Sequence, residues 1–528
     1  MSTKLTVEDC PIIALDRFIQ ATRDSGYKGT ASAISELIDN SLQAEADEIS
    51  ILLAEVEGEF PVEVTVVDNG CGMDPFTLRQ ALRFGGSSRF GDRSGLGRYG
   101  MGLPNCSLSQ ACRVTVYTWQ TLDATRRVRR TAIPDKVYVS YLDVDEIARG
   151  ELSHVPLPRV AQAYPAQCLG KSGTLVHWEQ CDRLDNRRIS TLARKLSAEL
   201  GRRFRHYIWK GVKIEVNGEA VEAIDPLFLR GERAGADLFG DELTYEIAID
   251  PANLSKGTSV VRVRFSELPV HDWQSMSNDE KRDWGISKGA GVSVVRAGRE
   301  VDYGWFFMGD KRRENYDDWW RCEVMFEPAL DEAFGITHTK QQVRPRGHLL
   351  EALTPDMDTT ARALNSKVRK AHVDTKAQER FCEVERLAAD RDQRLLPLPI
   401  TADPGAQKLV TELKKKNPSL RAGSKERSGR LGYSIVERPI STMEFYQPVY
   451  DGDRVVLLIN PEHPFYKQVY GPLVDSDASD DKALRAKIEL FLLAAARAEA
   501  SIVGVKNREV IAKFRHEWSN ALATFLDG

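Results

Sequence analysis

Cysteine is sparse in this chain, and none of it is arranged for cross-linking or metal binding. The eight cysteines, at positions 10, 71, 106, 112, 168, 181, 322 and 382, form no C-x-x-C pair and no zinc spacing. They read as reduced thiols, which excludes a disulfide framework and a zinc module. No basic-then-apolar leader opens the sequence, and its longest apolar runs, such as Leu490–Ala496, fall far short of a membrane span. A soluble, cytoplasmic protein without a membrane partner is expected. An excess of one charge is missing too. The 73 Lys and Arg stand against 77 Asp and Glu, a net charge of −4, so no global field draws the chain to nucleic acid. At 528 residues it is long enough for three or so domains with separate cores.

What is present is glycine, concentrated in Ser94-Gly95-Leu96-Gly97-Arg98-Tyr99-Gly100-Met101-Gly102. Such a backbone reaches φ > 0 and brings its N–H groups close to a ligand. Converging N–H groups that open into a helix N-terminus suit phosphates, although by itself the pattern also fits a plain loop. Upstream, Ile34, Leu37, Ile38 and Leu42 follow helical spacing. Glu36 and Asn40, four apart, share the opposite face. A carboxylate and a carboxamide held together there suit orienting a water and completing a magnesium shell. Between these elements, Val64-Thr65-Val66-Val67-Asp68 reads as a β-branched strand that ends in the turn Asn69-Gly70-Cys71-Gly72-Met73. Taken alone, Asp68 fits an Asx-turn equally well.

Together these blocks resemble the nucleotide site of the GHKL ATPases: gyrase B, the related heat-shock chaperones, MutL and MORC. The match runs Glu36-x-x-x-Asn40, Asp68-x-Gly70-x-Gly72-Met73, Gly97-x-x-Gly100-x-Gly102, and then Ser172-Gly173-Thr174-Leu175-Val176. The phrasing Phe84-Gly85-Gly86-Ser87-Ser88-Arg89 and Arg98-Tyr99-Gly100 looks most like MORC, whereas Leu103-Pro104-Asn105 stands where MORC proteins tend to carry a lysine. The resemblance implies a Bergerat-type two-layer α/β sandwich over residues 1–182 and an α+β transducer over 183–357. A helical and basic linker (358–432) and a C-terminal α/β unit (433–528) follow. It implies ATP and Mg2+ as cofactors, with Glu36 as general base and Asn40 on the metal. Asp68 would accept from the adenine amino group, Gly70, Gly72 and Met73 would line the base, and Thr174 would add a water-bridged contact. Gly95, Gly97, Arg98, Tyr99, Gly100, Met101 and Gly102 would form the phosphate-holding lid, and Ser87 and Ser88, just before it, would also bind the nucleotide. Lys340, in Phe334-Gly335-Ile336-Thr337-His338-Thr339-Lys340-Gln341, would reach the γ-phosphate from the transducer.

Absences narrow the kind of member. No histidine precedes His154, which excludes a histidine kinase, and neither a gyrase-type cleavage cluster nor a MutL-type metal motif is evident. The resemblance then implies a MORC-like clamp that forms a homodimer on ATP binding and acts on DNA or chromatin-like complexes, in a role such as genome defence, with a chaperone-like ATPase on a protein client as the alternative. The leader 1–30 fits either a strap to a second protomer or a locally packed terminus. Asp185–Trp209 reads as a basic helix, more in keeping with a solvated face than a nucleic-acid surface. Val212–Val216 with Asn217-Gly218 reads as a hairpin that opens the second domain. A helix is expected from Ala361 to Leu396, and a buried, nearly all-apolar helix around Ile488–Ala496.

Overall fold

In the computed structural model, β-branched segments alternating at period two build the first sheet. The structure describes the chain except residues 1–12, 87–100, 121–131, 254, 256, 337–341, 393, 397, 399–430, 452–453, 477, 503 and 527–528, and except the side chains of 373–382, 451 and 505. Compact packing divides it into two units, 1–368 and 369–528.

The first sheet contains β1 (Glu48–Glu55), β2 (Val62–Asp68), β3 (Arg113–Gln120), β4 (Tyr138–Asp143), β5 (Arg159–Val160), β6 (Ser172–Glu179), β7 (Lys213–Val216) and β8 (Glu219–Ala220). Their order is β5-β4-β3-β6-β2-β1-β7-β8. In β1 and β2 alternate residues are buried, as a sheet with one face on a core requires. That core takes Ile49, Ile51, Val64, Val66, Val114, Val116 and Trp178 from the sheet, and Ile34, Leu37, Ile38, Leu192, Leu196 and Leu200 from helices. The helices include α1 (Leu15–Asp24), α2 (Thr30–Gln43), α3 (Pro75–Ala81), α4 (Gly102–Leu108), α5 (Val144–Ala148), α6 (Ile189–Arg203) and α7 (Arg205–Trp209). The resulting mixed α/β layering is the fold class expected from the sequence.

α2 packs on β2, α4 and α6. Residues Thr30–Asp39 and Ser41 are therefore buried on every side, and the polar face carrying Glu36 is covered as thoroughly as the apolar one.

The second sheet runs β12-β11-β13-β10-β9, from β9 (Asp237–Ala248), β10 (Thr258–Glu267), β11 (Val292–Arg296), β12 (Arg299–Gly304) and β13 (Trp320–Phe326). The hairpin signal at Asn217-Gly218 is real, with φ of 51° and 80°. It does not open this sheet, however. β7 lies parallel to β1, and the β7–β8 hairpin forms the edge of the first sheet, because Ile214 and Val216 join the first core. The basic segment also differs from a solvated helix. It breaks at Phe204 between α6 and α7, and Arg205 is wholly buried. The long helix begins at Gly347 rather than Ala361 and carries Pro355 inside it. Leu349, Leu353, Met357, Ala361 and Leu364 bury one stripe of it against the second core, which offsets the lost proline donor.

In the second unit β14 (Gly432–Glu437) and β15 (Tyr446–Asp451) flank β16 (Arg454–Ile459), β14 parallel and β15 antiparallel. The helix Ser479–Ala500 was expected to be buried all round. It turns Leu492, Leu493, Ala496 and Ala500 inward but leaves Phe491 67% exposed, and it buries the ion pair Arg485–Glu489 at 2.6 Å. No helix among the described residues is long and apolar enough to cross a membrane.

Candidate nucleotide site

One end of the site grows out of strand pairing. Asp68 ends β2 opposite Thr174 of β6, and Thr174 in turn lies opposite Thr118 of β3. The buried Asp68 carboxylate accepts from the Gly70 N–H at 2.9 Å and from the Ser41 hydroxyl at 2.8 Å. Burial raises this carboxyl above its ordinary value, with the Gly70 and Ser41 donors opposing. The contact to Gly70 is an Asx-turn, so the structure contains that local motif. Thr118 Oγ1 accepts from the Met73 N–H at 2.8 Å and donates to the Gly173 carbonyl at 3.0 Å.

Glycine is required here by geometry. Gly72 has φ of +68°, and a Cβ on it would lie 2.2 Å from the Trp119 carbonyl. A Cβ on Gly173 would lie 2.4 Å from the Asp68 carbonyl.

The other end is charged. Glu36 is buried on α2, and a Cβ at Gly102, the first residue of α4, would fall 2.7 Å from Glu36 Oε1. The end of the glycine cluster thus lies directly on the carboxylate. Asn40 sits one turn further along α2 and is half-buried. Ser41 follows it and reaches Asp68, so a single helix spans both ends. Tyr27 lies buried near Glu36; burial, then the Glu36 charge, pushes its hydroxyl well above the ordinary tyrosine range. Asp39, fully buried, pairs with Arg299 of β12, whose Nη1 is also 3.8 Å from Glu36 Oε2.

Glu36, Asn40, Asp68, Gly70, Gly72, Met73, Met101, Gly102 and Thr174 all fall within the described residues. Ser87, Ser88, Gly95, Gly97, Arg98, Tyr99, Gly100 and Lys340 lie outside them. Sequence reasoning passed over Ser41, Asp39, Thr118 and Arg299. For Asp39 a signal existed, an acid between the apolar positions of a helix. For Arg299 there was none beyond its place in a tight hairpin. Among the described residues no group of three or more His, Cys, Asp or Glu is placed to hold a metal by itself.

No curated protein matches the chain. Many solved structures resemble it, two of them as follows. The N-terminal domain of a DNA repair protein is 14% identical with a TM-score of 0.38, covering 65% of this chain and 98% of its own. The B-subunit of the DNA gyrase from Myxococcus xanthus is 10% identical with a TM-score of 0.35, covering 63% and 92%. Residues 27–149 match the family described as histidine kinase-, DNA gyrase B-, and HSP90-like ATPase. Over that segment, which carries Glu36, Asn40, Asp68 and Gly102, the chain is similar to the ATPase domain that this family model describes.

Proposed function

We propose that the chain is a MORC-like ATP-hydrolysing clamp that dimerises when it binds ATP and acts on DNA. The observation that carries the hydrolytic part is the contact of Gly102 with Glu36 on a helix whose next turn offers Asn40 and whose end reaches Asp68. In this reading Glu36 orients a water and takes its proton for in-line attack on the terminal phosphate. Mg2+, when bound, neutralises charge on the phosphates. The residues fit it, since the Asn40 carboxamide is a hard oxygen donor one helical turn from the Glu36 carboxylate. Asp68 takes the adenine amino group, with Gly70, Gly72, Met73 and Thr174 around the base. Ser87, Ser88 and the segment Gly95 to Met101 enclose the phosphates, and Lys340 meets the last of them as a compact charge.

A protein client is the second reading. Arg205 is buried, Arg202 pairs with Glu300 at 2.9 Å and Arg203 with Glu199 at 2.8 Å. These pairings reduce the basic face available to a polyanion. Calorimetry of Asn40→Ala tests the site: magnesium-dependent ATP binding is expected to vanish, and near-normal affinity removes Asn40 from it. A DNA-binding titration with and without a non-hydrolysable ATP analogue tests the target. Tighter binding with the analogue supports the clamp on DNA; no binding in either state supports the protein client.

A further inference from the structure

The hairpin between β11 and β12 turns in two residues, Ala297 and Gly298, both in the left-handed region at φ of 47° and 83°. A turn with positive φ at both central residues matches strand twist and fixes the register. Arg296 and Arg299 therefore stand directly opposite each other. Both are buried, at 2% exposure. Two like charges facing across a ladder are unfavourable unless each has its own partner. Arg296 finds Asp331, on the short helix Asp331–Phe334 that follows β13, at 2.6 and 2.8 Å. Arg299 instead crosses to the first sheet's helix α2, where it pairs with Asp39 and stands 3.8 Å from Glu36.

β12 is an edge strand of its sheet, covered by α6 and α7. Three further contacts lock it there. Tyr207 donates to the Ala297 carbonyl at 2.8 Å, and Glu300 takes Arg202 at 2.9 Å and Arg205 at 3.1 Å. The Phe204 ring lies 5.8 Å from the Arg299 guanidinium.

We infer that Arg299 is a positioning residue for the Glu36 carboxylate, supplied by the second sheet to a site built on the first. The inference rests on the hydrolytic reading above and adds a regulator to it. Gly102 bounds Glu36 on one side and Arg299 on another, so the carboxylate keeps its orientation only while β12 is docked on α2, α6 and α7. Withdrawal of the hairpin would leave ATP bound but its hydrolysis slow. Asp39 serves as the arm that holds the guanidinium in place. A shift of about 1 Å in a reacting group costs on the order of 10²-fold in rate.

The test uses the full chain. Removing Arg299 alone strands the buried Asp39 charge, so the informative variant is the neutral pair Asp39→Asn with Arg299→Gln. It is expected to bind ATP in calorimetry within about threefold of wild type and to lower kcat on the order of 10²-fold, without a matching rise in KM. Arg299→Lys, which keeps a cation but loses the planar fork, is expected to recover part of that loss. Wild-type kcat in both variants overturns the inference. So does an equal loss of ATP affinity and turnover, which marks a purely structural pair. Should the double variant fail to fold, Arg299→Lys decides: unchanged kcat with folded protein rejects the role. A wild-type chain that binds ATP without hydrolysing it overturns the hydrolytic reading itself, a result distinguishable from active wild type with unaffected variants.

Discussion

The two ends of the nucleotide site are made of different material. Around Asp68 the partners are backbone groups, hydroxyls and absent side chains, all within one sheet and the helix α2 that lies on it. Around Glu36 the partners are ions, and one comes from the other sheet of the same unit. The first arrangement is complete once three strands pair and α2 lies on them. The second exists only after two sheets have met. In the proposed reading, recognition of a base falls to the part that forms locally, and hydrolysis to the part completed by docking.

The sharpest break of this comparison is Glu36→Ala. If the charged end performs the chemistry and the other end the binding, turnover falls about 10²–10⁴-fold while ATP stays bound. Light scattering should then show a dimer with ATP that wild type with ADP lacks. A mass that is the same with ATP, ADP or no nucleotide removes the clamp from the mechanism.

Next in size is Arg205→Met. It removes the guanidinium that bridges Glu300 and Glu323, and since Arg202, Arg264 and His206 still face these carboxylates, about 1.5–3 kcal/mol of unfolding stability should be lost. Denaturant titration checks this, and a loss below about 1 kcal/mol shows that the joint between the sheets is not held by its charges.

Asp68→Asn probes the neutral end. It turns part of an acceptor into a donor and should weaken ATP binding by roughly 1–3 kcal/mol. If GTP binding is spared, Asp68 reads the base; an equal loss for both nucleotides leaves it as the turn it visibly makes.

The smallest effect is one of sign. Burial raises the folded Asp68 carboxyl above its unfolded value. The folded state then holds more protons in that interval, and this group's contribution to stability falls as pH rises through it. Glu323 behaves oppositely. Burial pulls it up, but His206, Arg205 and Arg264 hold it far below the ordinary range, so its contribution is present above about pH 4.5 and lost as pH falls below that value. Stability against pH for Asp68→Asn and Glu323→Gln should therefore lose slopes of opposite direction. Slopes of one direction in both variants contradict the contrast.

How much of this was legible follows the same division. The alternation of Val64, Val66 and Asp68 marks a strand, and the Glu36–Asn40 spacing marks a helix, because both are periodicities within a few residues. Gly72 and Gly173 are legible as glycines; that each yields space to a particular carbonyl is not. The joint was hidden because its pairs are distant in sequence: Arg299 and Asp39 are 260 residues apart. Charge in α6 and α7 read as solvated because nothing local distinguishes Arg205, which is buried, from Arg194, which is exposed. Pairing decides which arginine turns inward, and pairing is a property of the folded chain. Ser87 to Gly100 and Lys340, where much of the resemblance lies, fall outside the described residues.

The strand β12 has a mechanical side as well. Arg299 at its start grips α2, and Asp302 further along accepts from the Val343 N–H at 3.0 Å. Three residues of extended chain span about 10 Å, and a strand hydrogen-bonded along its length does not stretch. It behaves as a short push-rod with a carboxylate at each end, Glu36 beside one grip and Asp302 at the other. Val343 and Val301 of β12 both belong to the second core, so this one short strand ties the surroundings of Glu36 to the packing of that core.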